Sequence, residues 1–329
     1  MKVTVLYNQG GTYPLNREQK ITDEDTHKTA IEISNALKQS GYETDLVKVT
    51  PEDLNLVDNI DTDLVFNLCE WSGKDYPLAV KVIKKLDDNK IPYTGADSSS
   101  YEWCSNKIRM KKLFDKFGII TPKWLVVRHH ASKKILESLS RFNFPLIMKP
   151  AYEHCGIGIR DTSIVKSNKN IKARIERYKN FYDQPVIIEE FIEGREFQVT
   201  IIQNGQIKIF PPAEIIFGDR KGKEKIYSFG SKWEKSQEQS IYIDTIIHKN
   251  TRGIINDIIK VAKSAFTTMG CRGYSRAEIK SRNHEIYLLE INVNPALDPD
   301  PEYTLTASSM AAGFEYKDLV VEIVKAGLS

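Results

Sequence analysis

Along the first third of this 329-residue chain, short apolar runs alternate with amphipathic stretches. KVTVLY (Lys2 to Tyr7) reads as a buried strand followed by a polar, glycine-containing turn. Residues 25–42 set Ile31, Ile33 and Leu37 against a polar opposite face, the spacing of a helix. ETDLVKV and TDLVFNL read as a second and a third strand, YPLAVKVIKKLDDNK as another amphipathic helix, and IPYTG (Ile91 to Gly95) as a short strand and turn. Strand–helix alternation of this kind predicts a parallel sheet with helices against it. This first unit, residues 1–106, is expected to be an α/β domain.

The pattern then changes. A helix over NKIRMKKLFDKFG ends at Gly118, followed by the strand KWLVVR, a helix over 131–140, the strand FPLIMKP, a glycine-containing loop with a return strand, a helix over 171–178, and PVIIEEF. Residues 107–189 therefore predict a small central α+β unit. From about Ile192 the chain is strand-rich: EFQVTII, QIKIFPPAEII, a long polar segment, a helix over 245–269, then YSRAEIKSR and HEIYLLEINVN, with a closing helix over 307–326. Residues 190–329 predict a mostly antiparallel α+β domain. Segment 219–240 is long and charged but carries Tyr227, Phe229 and Trp233. It reads either as a solvated surface loop or as one that closes onto a ligand.

Composition narrows the class. A formal charge of +3 from 47 basic and 44 acidic residues does not by itself suggest nucleic acid. No apolar run approaches the length of a membrane span, and the start lacks the apolar core of a signal peptide. Cys69, Cys104, Cys155 and Cys271 show neither CxxC pairing nor zinc-like spacing, so they read as reduced thiols of a cytoplasmic protein.

Candidate chemistry lies near the end of the chain. In YLLEINVNPALDPD, Glu290, Asn292 and Asn294 alternate, and residues two apart on a strand share a face. Glu278, on the preceding strand of an expected hairpin, can face them, and Arg276 shares its side. Two carboxylates and an amide carbonyl are hard ligands suited to Mg²⁺. A cation beside them makes sense where a phosphoryl group also binds. The alternative, an exposed polar face, weakens for Glu290 because IYLLEINV is otherwise so apolar. Lys149 ends an apolar strand before a loop holding Gly156 and Gly158; such a loop is either a plain hairpin or a phosphate cradle. VIIEEFIEGREF carries Glu189, Phe191, Ile192 and Glu196 and taken alone reads as a strand pair with an acidic turn. His154 and Cys155 suggest nucleophilic catalysis, but adjacent side chains rarely face each other and no third orienting residue is apparent.

The order of these pieces resembles the ATP-grasp superfamily, and within it the D-alanine–D-alanine ligases and their relatives. The carriers are IPYTG, SNK ending at Lys107, IMKPAYEHCGIGI, EEFIEGREF, YSFGSKW, SRAE and LLEINVNP. The resemblance implies a three-domain ATP-grasp fold and ATP-dependent conversion of a carboxylate to an acyl phosphate, followed by attack of an amine. It implies ATP and two Mg²⁺ ions, with Mn²⁺ able to substitute, small-molecule substrates, no nucleic acid or membrane partner, and a homodimer. Lys107, Lys149 and Gly156 would hold ATP phosphates; Glu189, Phe191 and Ile192 would line the adenine pocket, and Glu196 would hold the ribose. Lys232 would close over the phosphates, Glu278, Glu290 and Asn292 would bind the metals, and Arg276 would stabilise charge on the transferring group.

Where substrates would bind, the chain departs from the ligase pattern. The family's Glu-His-x-Val-Ser run is absent after the first strand, leaving Asp23, Glu24 or Asp25 to replace its glutamate. Cys69 or Glu70 stands near the family's His-Gly pair, His154 where a glycine is usual, Cys155 for a serine and Trp233 for a tyrosine. Asn294 is expected to shape the turn beyond the metal strand. Ala296 replaces a glycine, Pro301 falls near a serine position, and Asp298 and Asp300 are expected to line the amine-side turn and repel a carboxylate. The resulting expectation is a ligase acting on something other than two D-alanines; the alternatives are a true D-alanine–D-alanine ligase and a non-catalytic ATP-binding module.

Overall fold

β1 (Lys2–Asn8) runs between β2 (Glu43–Val49) and β3 (Leu64–Asn67), parallel to both, and Tyr93 adds a parallel bridge beside β3. These coordinates are a computed structural model describing residues 1–218, 225–234 and 243–329. The parts of the expected 219–240 segment at 219–224 and 235–240 lie outside the described residues. Helix α1 (Arg17–Gln39) begins eight residues earlier than the hydrophobic period suggests. A capping box explains this: Asn16 accepts from the Gln19 N–H, and the Gln19 side chain accepts from the Asn16 N–H. α2 (Pro77–Asp88) and α3 (Ser98–Cys104) complete this part.

α4 (Lys107–Phe117) is capped by Asn106 and stopped by Gly118 at φ +68°. β4 (Trp124–Val127), α5 (Lys133–Leu139), β5 (Leu146–Pro150), β6 (Ile164–Val165), α6 (Ile171–Tyr182) and β7 (Val186–Glu190) follow, and the strands make an antiparallel sheet ordered β4-β7-β5-β6. The return strand expected after the glycine loop is only the two residues of β6.

β8 (Arg195–Asn204), β9 (Gln206–Ile209), β10 (Ala213–Phe217), β11 (Ile243–Ile247), β12 (Tyr274–Arg282) and β13 (Glu285–Val293) form the third sheet, antiparallel throughout. Pro211 and Pro212, which lack N–H donors, split QIKIFPPAEII into two strands. The short α7 (Phe229–Trp233) and the longer α8 (Ile254–Thr268) lie on either side of β11 in sequence. The helix expected over 245–269 is thus shorter: its β-branched start pairs with β10 as β11, and Gly253 at φ +59° precedes α8. The expected closing helix is two, α9 (Thr304–Ala311) and α10 (Tyr316–Leu328), separated at Gly313 with φ +90°.

The first and third sheets are fused through shared cores. Val82 and Ile83 of α2, Phe114 of α4, Phe197 of β8, Phe266 of α8 and Ile291 of β13 belong to one buried cluster. Val3 and Val5 of β1, Ile33 and Leu37 of α1 and Leu319 and Ile323 of α10 belong to another. The central sheet has a core of its own, built on Val127, Leu146, Met148, Ile175 and Ile188. Fully burying each such side chain contributes roughly 1.5–3 kcal/mol. The central sheet therefore stands over the third sheet with a cleft between them, rather than sharing its core.

Candidate active site

Alternation puts Arg276 and Glu278 on one face of β12. The antiparallel register sets Asn292 opposite Arg276 and Glu290 opposite Glu278. Asn292 Nδ2 lies 3.1 Å from Glu278 Oε1 and 3.4 Å from Glu290 Oε1, and Arg276 Nη2 lies 3.1 Å from Glu278 Oε1. A half-turn of the Asn292 amide would present its oxygen instead, completing a hard-oxygen donor set that fits Mg²⁺. Burial works to raise the Glu290 carboxyl, but Lys107, Lys149 and Lys232 outweigh it and hold it well below the usual carboxylate range. The register slips between Glu278 and Ile279, so Leu288 enters the core while Leu289 joins Glu290 at the cleft.

That cleft, of about 740 Å³, brings together Lys107, Lys149, Gly156, Glu189, Phe191, Ile192, Glu196, Lys232, Glu278 and Glu290. Lys107 Nζ donates to the Glu153 carbonyl at 2.5 Å and lies 3.4 Å from Glu290 Oε2. Glu189, expected to line the adenine pocket, lines this cleft and is ion-paired there. Its carboxylate is 2.7 Å from Lys149 Nζ and 3.0 Å from Lys111 Nζ, because at 2% side-chain exposure it needs a cationic partner. Glu196, expected to hold a ribose, is met by Lys280 Nζ at 3.1 Å. Lys111 and Lys280 were both within reach of sequence reasoning. Lys111 is one helical turn from Lys107, and Lys280 continues the Arg276–Glu278 alternation.

Two glycines of the 154–158 loop do different work. Gly156 lines the cleft, whereas a Cβ on Gly158 would come within 2.5 Å of Pro150 Cγ, so Gly158 serves close packing. Its N–H donates to Glu18 Oε2 at 2.8 Å, tying the loop to α1. α7 docks on this loop: the Phe229 N–H donates to the Ile159 carbonyl at 2.9 Å, Phe229 is fully buried, and Trp233 Nε1–H donates to the Cys155 carbonyl at 3.0 Å. Lys232 Nζ sits 4.5 Å from the centre of the Tyr227 ring. Burial lowers the Lys232 ammonium, but Glu278 and Tyr227 prevail and hold it above its ordinary value.

A second cleft, of about 750 Å³, opens between α1, the segment after β3 and the turn after β13. Its described lining includes four carboxylates, Asp23, Asp25, Glu70 and Asp75, and no lysine or arginine. Asp23 accepts from the Gly10 N–H at 3.1 Å and Asp75 from the Thr12 N–H at 2.7 Å. Burial, reinforced by Asp298, pushes the Asp25 carboxyl up to about 6. Glu24 is not among these lining residues, nor is Cys69, which is buried in the core; Trp71, unnoticed in the sequence, is.

His154 and Cys155 do face each other, contrary to the expectation for neighbours. His154 Nδ1 lies 3.2 Å from Cys155 Sγ, and the third group, Glu70, brings Oε1 to 3.6 Å from the same nitrogen. Cys155 adopts φ +55°, the left-handed conformation, which accounts for the departure from ordinary neighbour geometry.

A third cleft contains Arg276, Gln198, Lys232, Trp233, Ala296, Pro301, Tyr303 and Thr304. Asp298 and Asp300 line neither this cleft nor the acidic one, contrary to expectation. Asp298 Oδ1 accepts from the Asp300 N–H at 2.8 Å and Asp300 Oδ1 from the Glu302 N–H at 2.9 Å, so both cap their own turn. Asn294 lines the acidic cleft, with Oδ1 accepting from the Ala96 N–H at 2.9 Å. Among described residues, the acidic and third clefts share Cys155, Trp233 and Ala296, and the lysine-lined and third clefts share Tyr227 and Lys232. The three clefts thus meet around the glycine loop and α7.

Comparison with known proteins agrees with this arrangement. A family profile described as "D-ala D-ala ligase C-terminus" matches residues 113–325. A D-alanine–D-alanine ligase of Pelagibacter ubique is 30% identical over 282 residues, covering 82% of this chain and 83% of its own. An uncharacterised protein of Sinorhizobium fredii is 24% identical, covering 97% of this chain and 95% of its own. The crystal structure of the Bacillus anthracis D-alanine–D-alanine ligase complexed with ATP superposes with a TM-score of 0.75 at 21% identity, covering 100% of this chain and 97% of its own. The chain belongs to the D-alanine–D-alanine ligase-like family of ATP-grasp enzymes, ATP-dependent ligases that form carbon–nitrogen bonds.

Proposed function

We propose that the protein joins a carboxylate to an amine through an acyl phosphate, and that its substrates are not two D-alanines. The observation that carries this reading is the second cleft, where four carboxylates line the space beside the lysine-lined cleft and, among the described lining residues, His154 is their only cationic counterpart. Such a lining favours an acid whose distant end carries positive charge.

ATP phosphates occupy the cleft of Lys107, Lys149 and Lys232, whose positive charge offsets theirs. Glu278, Glu290 and Asn292 would hold Mg²⁺, which supplies charge neutralisation at the phosphates. The acid's carboxylate enters from the acidic cleft and attacks the terminal phosphorus; ADP departs. The amine enters through the third cleft, where Arg276 stabilises negative charge on the tetrahedral intermediate that precedes loss of phosphate. Lys232 and Trp233, on α7, exclude water from the acyl phosphate.

A panel of amino acids and other small acids, paired with amines and scored for phosphate release from Mg-ATP, tests this reading. Stimulation by a cationic amino acid supports it. Stimulation by D-alanine alone supports the cell-wall ligase instead, and ATP binding without stimulation by any pair supports a non-catalytic module.

A further inference from the structure

One residue belongs to both the lysine-lined cleft and the acidic cleft among the described lining residues, and that residue is His154. Its side chain is 18% exposed. Nδ1 lies 3.2 Å from Cys155 Sγ and 3.6 Å from Glu70 Oε1. Nε2 is buried and has no partner. A buried polar nitrogen left unpaired costs about 1–3 kcal/mol, so its natural complement is a ligand.

We infer that His154 is a catalytic residue whose Nε2–H donates to an oxygen of the phosphoryl group as that group passes from ATP to the acid. This rests on the ligase reading above. In the step, a carboxylate oxygen of the acid bonds to the terminal phosphorus while the bond from phosphorus to the bridging oxygen breaks. ADP leaves with the electron pair, and His154 keeps its proton throughout. Negative charge spreads over the non-bridging oxygens in flight, and a fixed cationic donor at the junction of the clefts meets it there. Glu70 comes from a different part of the chain than the glycine loop and positions the ring by facing Nδ1. Burial alone would lower the imidazole, yet Glu70 and Cys155 raise it to about 10, which keeps both nitrogens donors at neutral pH.

The test needs no knowledge of the acid. Binding of Mg-ADP, alone and with aluminium fluoride as a mimic of the transferring group, is measured by calorimetry on wild type and His154→Gln. The expected result is Mg-ADP affinity within about twofold in both, with the tightening by aluminium fluoride reduced about tenfold or more in the variant. In wild type labelled with ¹⁵N-histidine, the Nε2 resonance should shift when aluminium fluoride joins Mg-ADP; this measurement decides the matter if the variant fails to fold. Equal tightening in the two proteins, or an unmoved Nε2, overturns the role of His154 while leaving the ligase reading intact. Failure of wild type to bind Mg-ADP overturns both.

Discussion

Lys149 Nζ lies 2.7 Å from Glu189 Oε2 inside the lysine-lined cleft, so a carboxylate that lines this cleft also holds the neighbouring lysine in place. The other oxygen of Glu189 reaches Lys111, whose side chain is 1% exposed. Burial works to raise Glu189, but Lys111 and Lys149 keep it below its ordinary value. Its contribution to stability is present above the unfolded carboxylate range and is lost as pH falls through the lower folded value. Glu189→Gln should lower the unfolding free energy by about 3–5 kcal/mol near neutral pH, because the buried Lys111 and Lys149 lose their shared counter-charge while Lys111 keeps only its hydrogen bond to the Thr121 hydroxyl. Urea unfolding measures it, and an unchanged midpoint would show that this charge pairing contributes no net stability.

Glu290→Gln should abolish Mg²⁺-dependent phosphate release once a productive substrate pair is found, since the site loses one of its two negative charges toward the dication. Turnover at the wild-type rate would remove Glu290 from the metal site.

Lys232→Ala should cut turnover by about a hundredfold or more while the melting temperature moves little. Phe229, not Lys232, anchors α7 in the core. A variant that unfolds instead would make Lys232 structural.

Asp25 carries a raised carboxyl pKa of about 6 against an ordinary 3.8. The folded state therefore binds the proton more tightly than the unfolded chain. Stability contributed at this position falls as pH rises between those two values and stays reduced above them. Asp25→Asn should raise the melting temperature at pH 8 and change it little at pH 4. A lower melting temperature at pH 8 would show that the ionised carboxylate is stabilising.

Gly95 has φ +87°, and a Cβ there would lie 2.0 Å from Asn294 Oδ1. Gly95→Ala should destabilise the protein by about 1–3 kcal/mol through strain and a displaced Asn294 side chain. Chemical unfolding would detect it; a neutral effect would mean that the turn after β13 shifts freely.

Much of the site was legible because strand alternation is strict. Arg276, Glu278, Glu290 and Asn292 share a face wherever YSRAEIKSR and EIYLLEINV pair as a hairpin, and the register does pair them. At Leu288 and Leu289 a one-residue bulge breaks the alternation, placing Leu288 in the core and Leu289 at the cleft, and it leaves no mark in the hydrophobic pattern. The helix expected over 245–269 failed at its start because edge pairing with β10 favours a β-branched run over helix.

By itself the sequence determined most of the strands and helices and the oxygen-rich face of the last hairpin. Those features are local, set by periodicity, capping and alternation within a few residues. Only the tertiary structure decided that Glu189 serves Lys149 and Lys111, that Asp298 and Asp300 turn into their own backbone, and that Glu70 joins His154 and Cys155 across a separation of more than eighty residues. Charge pairing in a buried space depends on which distant groups arrive there together. No local pattern encodes that.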